Sequence, residues 1–316
     1  MERTCIIGGT GFVGTEVLAL ATPGSIPLRC LIRQMPTAMV RRPNGCEFVR
    51  GDATDRVALG QALDNARQLI CLTNLLSLDV PLLLRAAESS GVRRAVFISS
   101  ASIFSSIHPK TKARRLLAER HIRESSLATT ILRPTMIYGN SRDRNMSRLI
   151  RYLRRCPLVV VPGDGKSLIH PVYVRDIAWS VLACMSTDET RNMTYNLGGG
   201  TVFSFNDMLD TVATALGRRL MPVHVHPQLL IAVSELCRRI GIRSAIKPDQ
   251  WRRLLEDKVV DNSPAMAAFG YNPISFQTGI TNEISSLLQA ASGSLFSSRP
   301  RAKSNPSPVR SQHSSV

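Results

Sequence analysis

A run of glycines near the start of the chain limits the fold more than any other feature. Gly8, Gly11 and Gly14 recur at every third residue between the apolar run RTCIIGG and an amphipathic stretch. A strand that turns tightly on the first glycine and opens a helix at the second leaves backbone amides facing outward, where they can bind a phosphate. The pattern therefore predicts a dinucleotide-binding βαβ unit. The expected contacts are Gly8, Thr10, Gly11, Phe12, Val13 and Gly14.

Strand-like runs alternate with helical patterns through the first part of the chain. After RTCIIGG they read PLRCLIR, EFVRGD, QLICLT, RRAVFISS and ATTILRP. This alternation requires a parallel sheet with helices on both faces, a Rossmann-type doubly wound α/β fold. We expect a dinucleotide-binding core at 1–136 and a smaller substrate-binding region at 137–291 that returns to the core at about 168–186. The Ser-, Pro- and Arg-rich residues 292–316 are predicted to be a disordered tail.

Charge and cysteine usage narrow the classes of partner and the compartment. Lysine and arginine number 40 against 23 aspartate and glutamate, a formal net charge of +17 that favours acidic partners. No aromatic residues alternate with the arginines, so no nucleic-acid partner is expected. Seven scattered cysteines without CxxC spacing, and no secretory leader, predict reduced thiols in the cytoplasm. The HVHP segment lacks further ligands, so no metal is expected.

Three motifs together resemble a known superfamily. The spacing GGTGFVG, the later ILRPTMIYG and the segment HPVYVRDIAWSVL resemble the extended and atypical short-chain dehydrogenases/reductases, in the NAD-dependent epimerase/dehydratase branch of nucleotide-sugar enzymes. The resemblance covers residues 3 to about 285. It implies a nicotinamide cofactor, a sugar-diphosphate substrate, and hydride transfer at the sugar C4 that gives epimerisation, dehydration or ketone reduction.

The ends of four strand-like runs suggest the rest of the cofactor site. Arg33 closes PLRCLIR, where NAD-preferring sites place an acidic residue on the ribose 2′-OH; an arginine suits a 2′-phosphate, so NADP(H) is favoured and NAD(H) is the alternative. By resemblance, Asp52 lies near the adenine amino group, whereas Asp55 caps the next helix. Thr73 and Asn74 follow QLICL beneath the expected cofactor. Pro134, which ends ATTILRP, is a further contact on this side.

The resemblance also implies a catalytic serine, tyrosine and lysine. Ser100 matches the serine by its place before ASIF, with Ser99 as the neighbouring alternative. In redox-active members the tyrosine of a YxxxK pair moves a proton to or from the substrate oxygen. The lysine of that pair lowers the pKa of the tyrosine and holds the nicotinamide ribose.

The tyrosine itself is absent, since the chain has none before residue 138. Counting from the family's K-x-x-x-E and RP positions places the pair at Thr111 and Arg115. A three-residue slip places it at His108 and Lys112 instead. Histidine titrates near neutral pH, so His108 and Lys112 are the candidate catalytic pair, although both are equally compatible with exposed structural positions. Because the tyrosine is absent, an alternative to an enzyme stays open: the chain could be a catalytically silent NAD(P)-binding sensor or assembly protein.

The second half carries the candidate substrate contacts. An arginine-rich helix over 146–156 is compatible with a diphosphate clamp or with a solvated basic face. Arg144 and Asn145, just before this helix, are stronger candidates for substrate contacts than the arginines further along it. The segment RDRN resembles a subgroup found with bacterial surface-polysaccharide and glycolipid genes. His170 is a third candidate contact. Tyr138 and Tyr173 are phenols for which structural roles are favoured.

The apolar stretch at 227–247 is a further amphipathic element. It is compatible with weak association with a membrane surface, which would suit a polyprenyl-linked substrate, although a packed core helix is favoured. A homodimer is also left open.

Overall fold

The computed structural model describes residues 3–21, 27–34, 45–241 and 246–296. The strands, numbered in chain order, are β1 Arg3–Ile7, β2 Leu28–Ile32, β3 Cys46–Arg50, β4 Ala66–Cys71, β5 Arg94–Ile98, β6 Ala128–Pro134, β7 Ile137–Tyr138, β8 Leu158–Pro162, β9 Leu168–Ile169, β10 Val172–Tyr173, β11 Met193–Leu197, β12 Phe203–Ser204 and β13 Met221–Val225. The helices are α1 Phe12–Leu20, α2 Arg56–Leu63, α3 Val80–Ser89, α4 Pro109–Glu124, α5 Met146–Leu153, α6 Val174–Ser186, α7 Phe205–Ala215, α8 Pro227–Arg239, α9 Pro248–Leu254, α10 Ser263–Phe269 and α11 Phe276–Phe296.

Parallel strands form the central sheet in the order β3-β2-β1-β4-β5-β6-β11. This confirms the Rossmann-type doubly wound fold. The strand order reverses between β1 and β4, so the chain leaves these two strands toward opposite faces of the sheet. A crevice therefore opens at their carboxyl ends, where Gly8 follows β1 and Thr73 lies just beyond β4.

Two apolar clusters cover the two faces of the sheet. Val17 of α1 and Ile177 of α6 belong to one cluster, while Leu59 of α2, Leu83 of α3 and Ile122 of α4 belong to the other. Burial on both faces explains why strands such as β5 are apolar along most of their length rather than alternating with polar residues.

The return of the second half to the core extends further than predicted. Helix α6 packs against α1, and β11 adds to the sheet beside β6, with Leu197 paired to Pro134. At the other end of the chain, residues 292–296 belong to α11. The remainder of the predicted tail, 297–316, lies outside the described residues.

The prediction that residues 227–247 pack as a core helix is wrong for the part that the structure describes. This stretch forms α8, which ends at Arg239, and Leu229, Val233 and Leu236 are each more than half exposed. Along this helix Ser234 alone is buried, and its hydroxyl accepts a hydrogen bond from Trp251 Nε1 at 3.0 Å. Within the described ranges, no helix combines the length and apolarity that crossing a membrane requires.

Candidate dinucleotide site

The glycine loop joins β1 to α1, and at two of its positions, Gly8 and Gly14, the backbone requires glycine. Gly8 has φ of +87°, in the left-handed region, and its carbonyl accepts a hydrogen bond from Gly11 N at 2.9 Å. A Cβ at Gly14 would lie 2.2 Å from the Gly8 oxygen and 2.6 Å from Gly9 Cα. Helix α1 thus packs directly on the backbone of the loop.

The amino end of α1 is open to a ligand. Gly11 is the N-cap residue and has no side chain to accept hydrogen bonds from the first turn, and no acidic residue lies in that turn. The first amides of a helix have no partner inside the helix, and the helix dipole adds positive potential there. The loop therefore fits the diphosphate of a dinucleotide, with the amides following Gly11 as donors.

The end of β4 forms the opposite wall of the crevice. The Thr73 hydroxyl lies 2.9 Å from where a Cβ on Gly8 would be, so these two loops touch. Asn74 is exposed, and its carboxamide oxygen accepts a hydrogen bond from Leu76 N at 3.2 Å, which orients the side chain. The structure thus brings Thr73 next to the glycine loop, as its position at the strand end predicts.

Arg33 and Asp52 come together beyond the ends of β2 and β3. The Asp52 carboxylate accepts hydrogen bonds from Thr54 N at 2.9 Å and Thr54 Oγ1 at 2.8 Å. These bonds lower the pKa of Asp52, and the nearby charge of Arg33 adds to the effect. Arg33 is exposed directly after β2. Asp55 caps α2 by accepting from Val57 N at 2.9 Å, as the sequence predicts.

The two candidate serines have different surroundings. Ser99 is buried, and its hydroxyl donates to the Glu119 carboxylate at 2.5 Å. Ser100 is half-buried, and its oxygen accepts from Ser102 N at 3.1 Å, which caps a short 3₁₀ turn. Because that bond uses only the oxygen, the Ser100 hydroxyl keeps a proton that it can donate. The Ser99 proton, in contrast, is already donated to Glu119.

Glu119 fixes the orientation of α4. Its carboxylate is fully buried and also accepts hydrogen bonds from Arg133, including one from Nε at 3.1 Å. Burial alone would raise the pKa of Glu119, but the bonds from Arg133 and Ser99 outweigh it and lower the pKa. One turn earlier, Arg115 is also buried. Burial lowers the pKa of its guanidinium, while Glu119 opposes that change.

The two alternative catalytic pairs occupy different parts of α4. Thr111 lies one turn before the buried Arg115 and is exposed. His108 is the N-cap residue of α4, and its carbonyl accepts a hydrogen bond from Lys112 N at 3.0 Å. The side chains of His108 and Lys112 are both half-buried. Arg115 is thus the cation that points into the protein, on the same side of the helix as Glu119.

The predicted substrate contacts divide into exposed and buried residues. Arg144 and Asn145 are exposed before α5, and Asn145 N donates to the Asp143 carboxylate at 2.9 Å. His170 is buried; Nε2 donates to the Gly199 carbonyl at 2.7 Å and Nδ1 accepts from Val260 N at 3.5 Å. Burial lowers the pKa of His170. With both ring nitrogens bound to backbone, the ring has a structural role.

Three further predicted positions are buried in the core. Tyr138 and Tyr173 pack together with their ring centroids 5.8 Å apart, which agrees with structural roles for both phenols. Pro134 is buried at the end of β6.

Two residues near the crevice were missed by the sequence reasoning. The Asn140 side chain donates to Glu16 of α1 at 2.9 Å, and Arg142 approaches the Thr15 hydroxyl at 3.5 Å. Arg142 therefore lies beside the first turns of α1, where its charge can support a bound phosphate. No local signal could have found these contacts, because the partners are 124 and 127 residues apart.

A second missed contact ties the later half of the chain to the serine turn. The Glu256 carboxylate accepts hydrogen bonds from the Ser105 hydroxyl at 2.7 Å and from Ser106 N at 3.0 Å. This fixes the segment that connects Ser100 to α4. The Asp176 carboxylate also contacts the later half of the chain, because it accepts a hydrogen bond from Ile274 N at 3.1 Å.

Comparison with known proteins places these features in a family context. Residues 8–150 match the NAD(P)H-binding family model, and residues 114–220 match the 3-beta hydroxysteroid dehydrogenase/isomerase family. The NAD(P)H azoreductase of Xenophilus azovorans is 25% identical, over 67% of this chain and 73% of that protein. The photosystem II assembly factor Ycf39 of Trieres chinensis is 22% identical, over 73% of this chain and 74% of that protein.

Epimerases are among the proteins that are similar in sequence or in fold. The N-acetyl-alpha-D-glucosaminyl-diphospho-ditrans,octacis-undecaprenol 4-epimerase of Escherichia coli O157:H7 is 23% identical, over 71% of this chain and 75% of that protein. The epimerase Mth375 of Methanothermobacter thermautotrophicus has a TM-score of 0.75 at 16% identity, covering 94% and 95% of the two chains. MoeE5, solved with UDP-glucuronic acid and NAD, has a TM-score of 0.70 at 19% identity, covering 92% and 100%.

Proposed function

We propose that the chain, which resembles the extended short-chain dehydrogenases/reductases, is an NAD(P)-dependent enzyme acting on a sugar that carries a nucleotide or lipid diphosphate. The reaction class is epimerisation, dehydration or reduction of a keto sugar, in the synthesis of surface glycans or glycolipids. The observation that carries the proposal is the juxtaposition of the uncapped α1 amides with Thr73 at the point where the strand order reverses.

Cofactor choice depends on Arg33. Its exposed guanidinium follows β2 directly, and no acidic side chain occupies that position to bind a ribose 2′-OH. A guanidinium pairs well with the extra phosphate of NADP(H). We infer that NADP(H) is preferred over NAD(H).

The chemistry assigned to the chain rests on Ser100 and α4. A bound nicotinamide would supply the hydride acceptor or donor. The Ser100 hydroxyl donates a hydrogen bond to the reacting oxygen of the sugar. The buried Arg115 places a positive charge one turn from Glu119, at the position where similar enzymes have a lysine, and it stabilises negative charge on that oxygen. Thr111 is a weak proton donor near neutral pH, so water or His108 would provide the proton.

The outer contacts to the sugar diphosphate are assigned to Arg144 and Asn145. Both are exposed where the chain enters α5, and the guanidinium can pair with phosphate oxygens. The names of two similar proteins support a diphosphate-linked substrate: one acts on an undecaprenol-linked sugar and the other was solved with UDP-glucuronic acid.

A second function is favoured by one specific observation. Thr111 occupies the position of the missing tyrosine when α4 is aligned through the buried Glu119. A chain that keeps the cofactor loop without an efficient acid suits a silent NAD(P)-binding sensor or assembly protein. The similarity to the assembly factor Ycf39 supports this alternative.

One experiment separates the two functions. Purified protein is incubated with NADP⁺ or NAD⁺ and with UDP-glucose, UDP-N-acetylglucosamine, UDP-glucuronic acid or an undecaprenyl-diphosphate sugar, and in parallel with NADPH or NADH and a UDP-linked 4-keto sugar. Nicotinamide absorbance and the sugar products are followed over time, with Ser100→Ala as the control. The enzyme proposal predicts a new sugar product that the control forms far more slowly. Saturable cofactor binding without turnover of any of these sugars would favour the silent protein.

A further inference from the structure

A two-stranded parallel sheet in the second half of the chain exposes an apolar face. Strands β8 and β13 pair in register, so that Met221 lies beside Leu158 and Val223 beside Val160. These four side chains are between 36% and 62% exposed. On the opposite face of β8, Val159 and Val161 are buried in the core. The exposed face thus presents four adjacent apolar side chains to solvent.

Arginines border this face at one end. Because β8 and β13 are parallel, the residues that precede them lie at the same edge of the sheet: Arg154 and Arg155 before β8, and Arg218 and Arg219 before β13. All four are exposed, and none forms an ion pair within the described part of the chain. We call the four apolar side chains and these four arginines the arginine-edged face.

The two segments of the chain that contain this face have no acidic residue to balance the arginines. Residues 144–163 and 211–234 contain seven arginines and no aspartate or glutamate. Beside the apolar side chains, Tyr152 is 46% exposed, and its hydroxyl donates to the Leu158 carbonyl at 2.7 Å. An apolar patch with a tyrosine and unpaired arginines matches the boundary between lipid headgroups and acyl chains.

We propose that the arginine-edged face docks on an anionic membrane surface. The apolar side chains enter the headgroup region, while the arginines pair with lipid phosphates. A second copy of the chain fits less well, because symmetric pairing of this face would bring eight arginines to one interface without a carboxylate to offset them. The proposal does not depend on the reaction that the chain catalyses.

Helix α8 offers an internal comparison. Leu229, Val233 and Leu236 form a second exposed apolar stripe. Beside it, however, Arg238 already binds the Glu235 carboxylate at 2.8 Å. Arg239, at the end of the helix, is exposed and forms no ion pair within the described residues. This stripe therefore has one such arginine where the arginine-edged face has four, and we expect it to contribute less to docking.

Vesicle binding at physiological ionic strength tests the proposal with the full chain. The protein is sedimented with vesicles of phosphatidylcholine alone, or of phosphatidylcholine with about one third phosphatidylglycerol. We expect binding to the anionic vesicles only. Each arginine near a membrane strengthens binding about fivefold, so Arg218→Ser with Arg219→Ser should weaken binding by roughly 25-fold. Met221→Ser with Val223→Ser should weaken it by about tenfold.

Matched variants decide whether the surface is the one proposed. Arg56→Ser with Arg85→Ser removes two exposed arginines from the other half of the chain, and we expect less than about threefold loss. The proposal is overturned if the wild type does not bind anionic vesicles, or if this control pair weakens binding as much as Arg218→Ser with Arg219→Ser. It is also overturned if Leu229→Ser with Leu236→Ser alone abolishes binding, or if Met221→Ser with Val223→Ser only dissociates a dimer in analytical ultracentrifugation.

Discussion

Replacing Gly14 with alanine tests the contact between α1 and the glycine loop. The added Cβ would lie 2.2 Å from the Gly8 carbonyl oxygen and 2.6 Å from Gly9 Cα, and both neighbours are backbone atoms that cannot rotate away. Restoring an ordinary contact of about 3.5 Å requires α1 and the loop to separate by more than about 1 Å. Such overpacking costs about 1–3 kcal/mol of unfolding free energy. The shift also moves the first amides of α1 away from a bound diphosphate.

Gly60→Ala is the matched control. Gly60 lies within α2, where a Cβ would meet nothing within 4 Å. Alanine at an open helical position stabilises a protein by about 0.5–1 kcal/mol. Urea unfolding and fluorescence titration with NADPH should show Gly14→Ala destabilised with cofactor binding at least tenfold weaker, and Gly60→Ala slightly stabilised with unchanged binding. Wild-type stability and NADPH affinity in Gly14→Ala would refute the reasoning.

Four further substitutions test other parts of the site and core. Arg33→Asp should weaken NADPH binding by about 10- to 100-fold while NADH binding is kept or improved, because a charged hydrogen bond to the 2′-phosphate is lost; equal effects on both cofactors in a titration would contradict this. Ser100→Ala should lower kcat on the identified sugar about 100-fold and cost about 1 kcal/mol of stability through loss of its cap on the 3₁₀ turn. Ser99→Ala should lower the unfolding midpoint more and kcat less, because Ser99 supports the buried Glu119; the reverse pattern would assign the chemistry to Ser99. Glu283 of α11 is fully buried, and burial raises its pKa from 4.5 to about 8. Its protonated form therefore stabilises the fold below about pH 4.5, and this stabilisation is lost as the pH rises to 8. The Glu283→Gln variant should therefore match the wild type at low pH and exceed it by a few kcal/mol near pH 9 in urea unfolding, and parallel pH profiles would contradict the assignment.

The strand alternation and the glycine loop could be predicted because their signals are local. The turn at Gly8, the packing at Gly14 and the Asp55 cap each depend on residues a few positions apart, and all three occur in the structure. The place of β11 at the end of the sheet could not be predicted. Its pairing with β6 joins segments about 60 residues apart, and its short sequence MTYNL has no strong strand pattern.

The candidate site was harder to predict where it depends on tertiary contacts. Without a tyrosine, the sequence could not fix the alignment of α4. The buried bonds of Glu119 with Ser99 and Arg133 join α4 to the ends of β5 and β6, and both pairs, His108 with Lys112 and Thr111 with Arg115, stay predictions. His170 resembled a substrate contact until its backbone partners were seen. The exposure of α8 likewise depends on which neighbour covers it, which periodicity does not encode.

A crystal structure of the chain grown with NADPH tests the central claim most directly. We expect density for the diphosphate against the amides that follow Gly11, with the 2′-phosphate near Arg33 and the nicotinamide toward Ser100. Crystals grown with saturating NADPH that leave this loop without ligand, or that hold the cofactor at another surface, would contradict the claim.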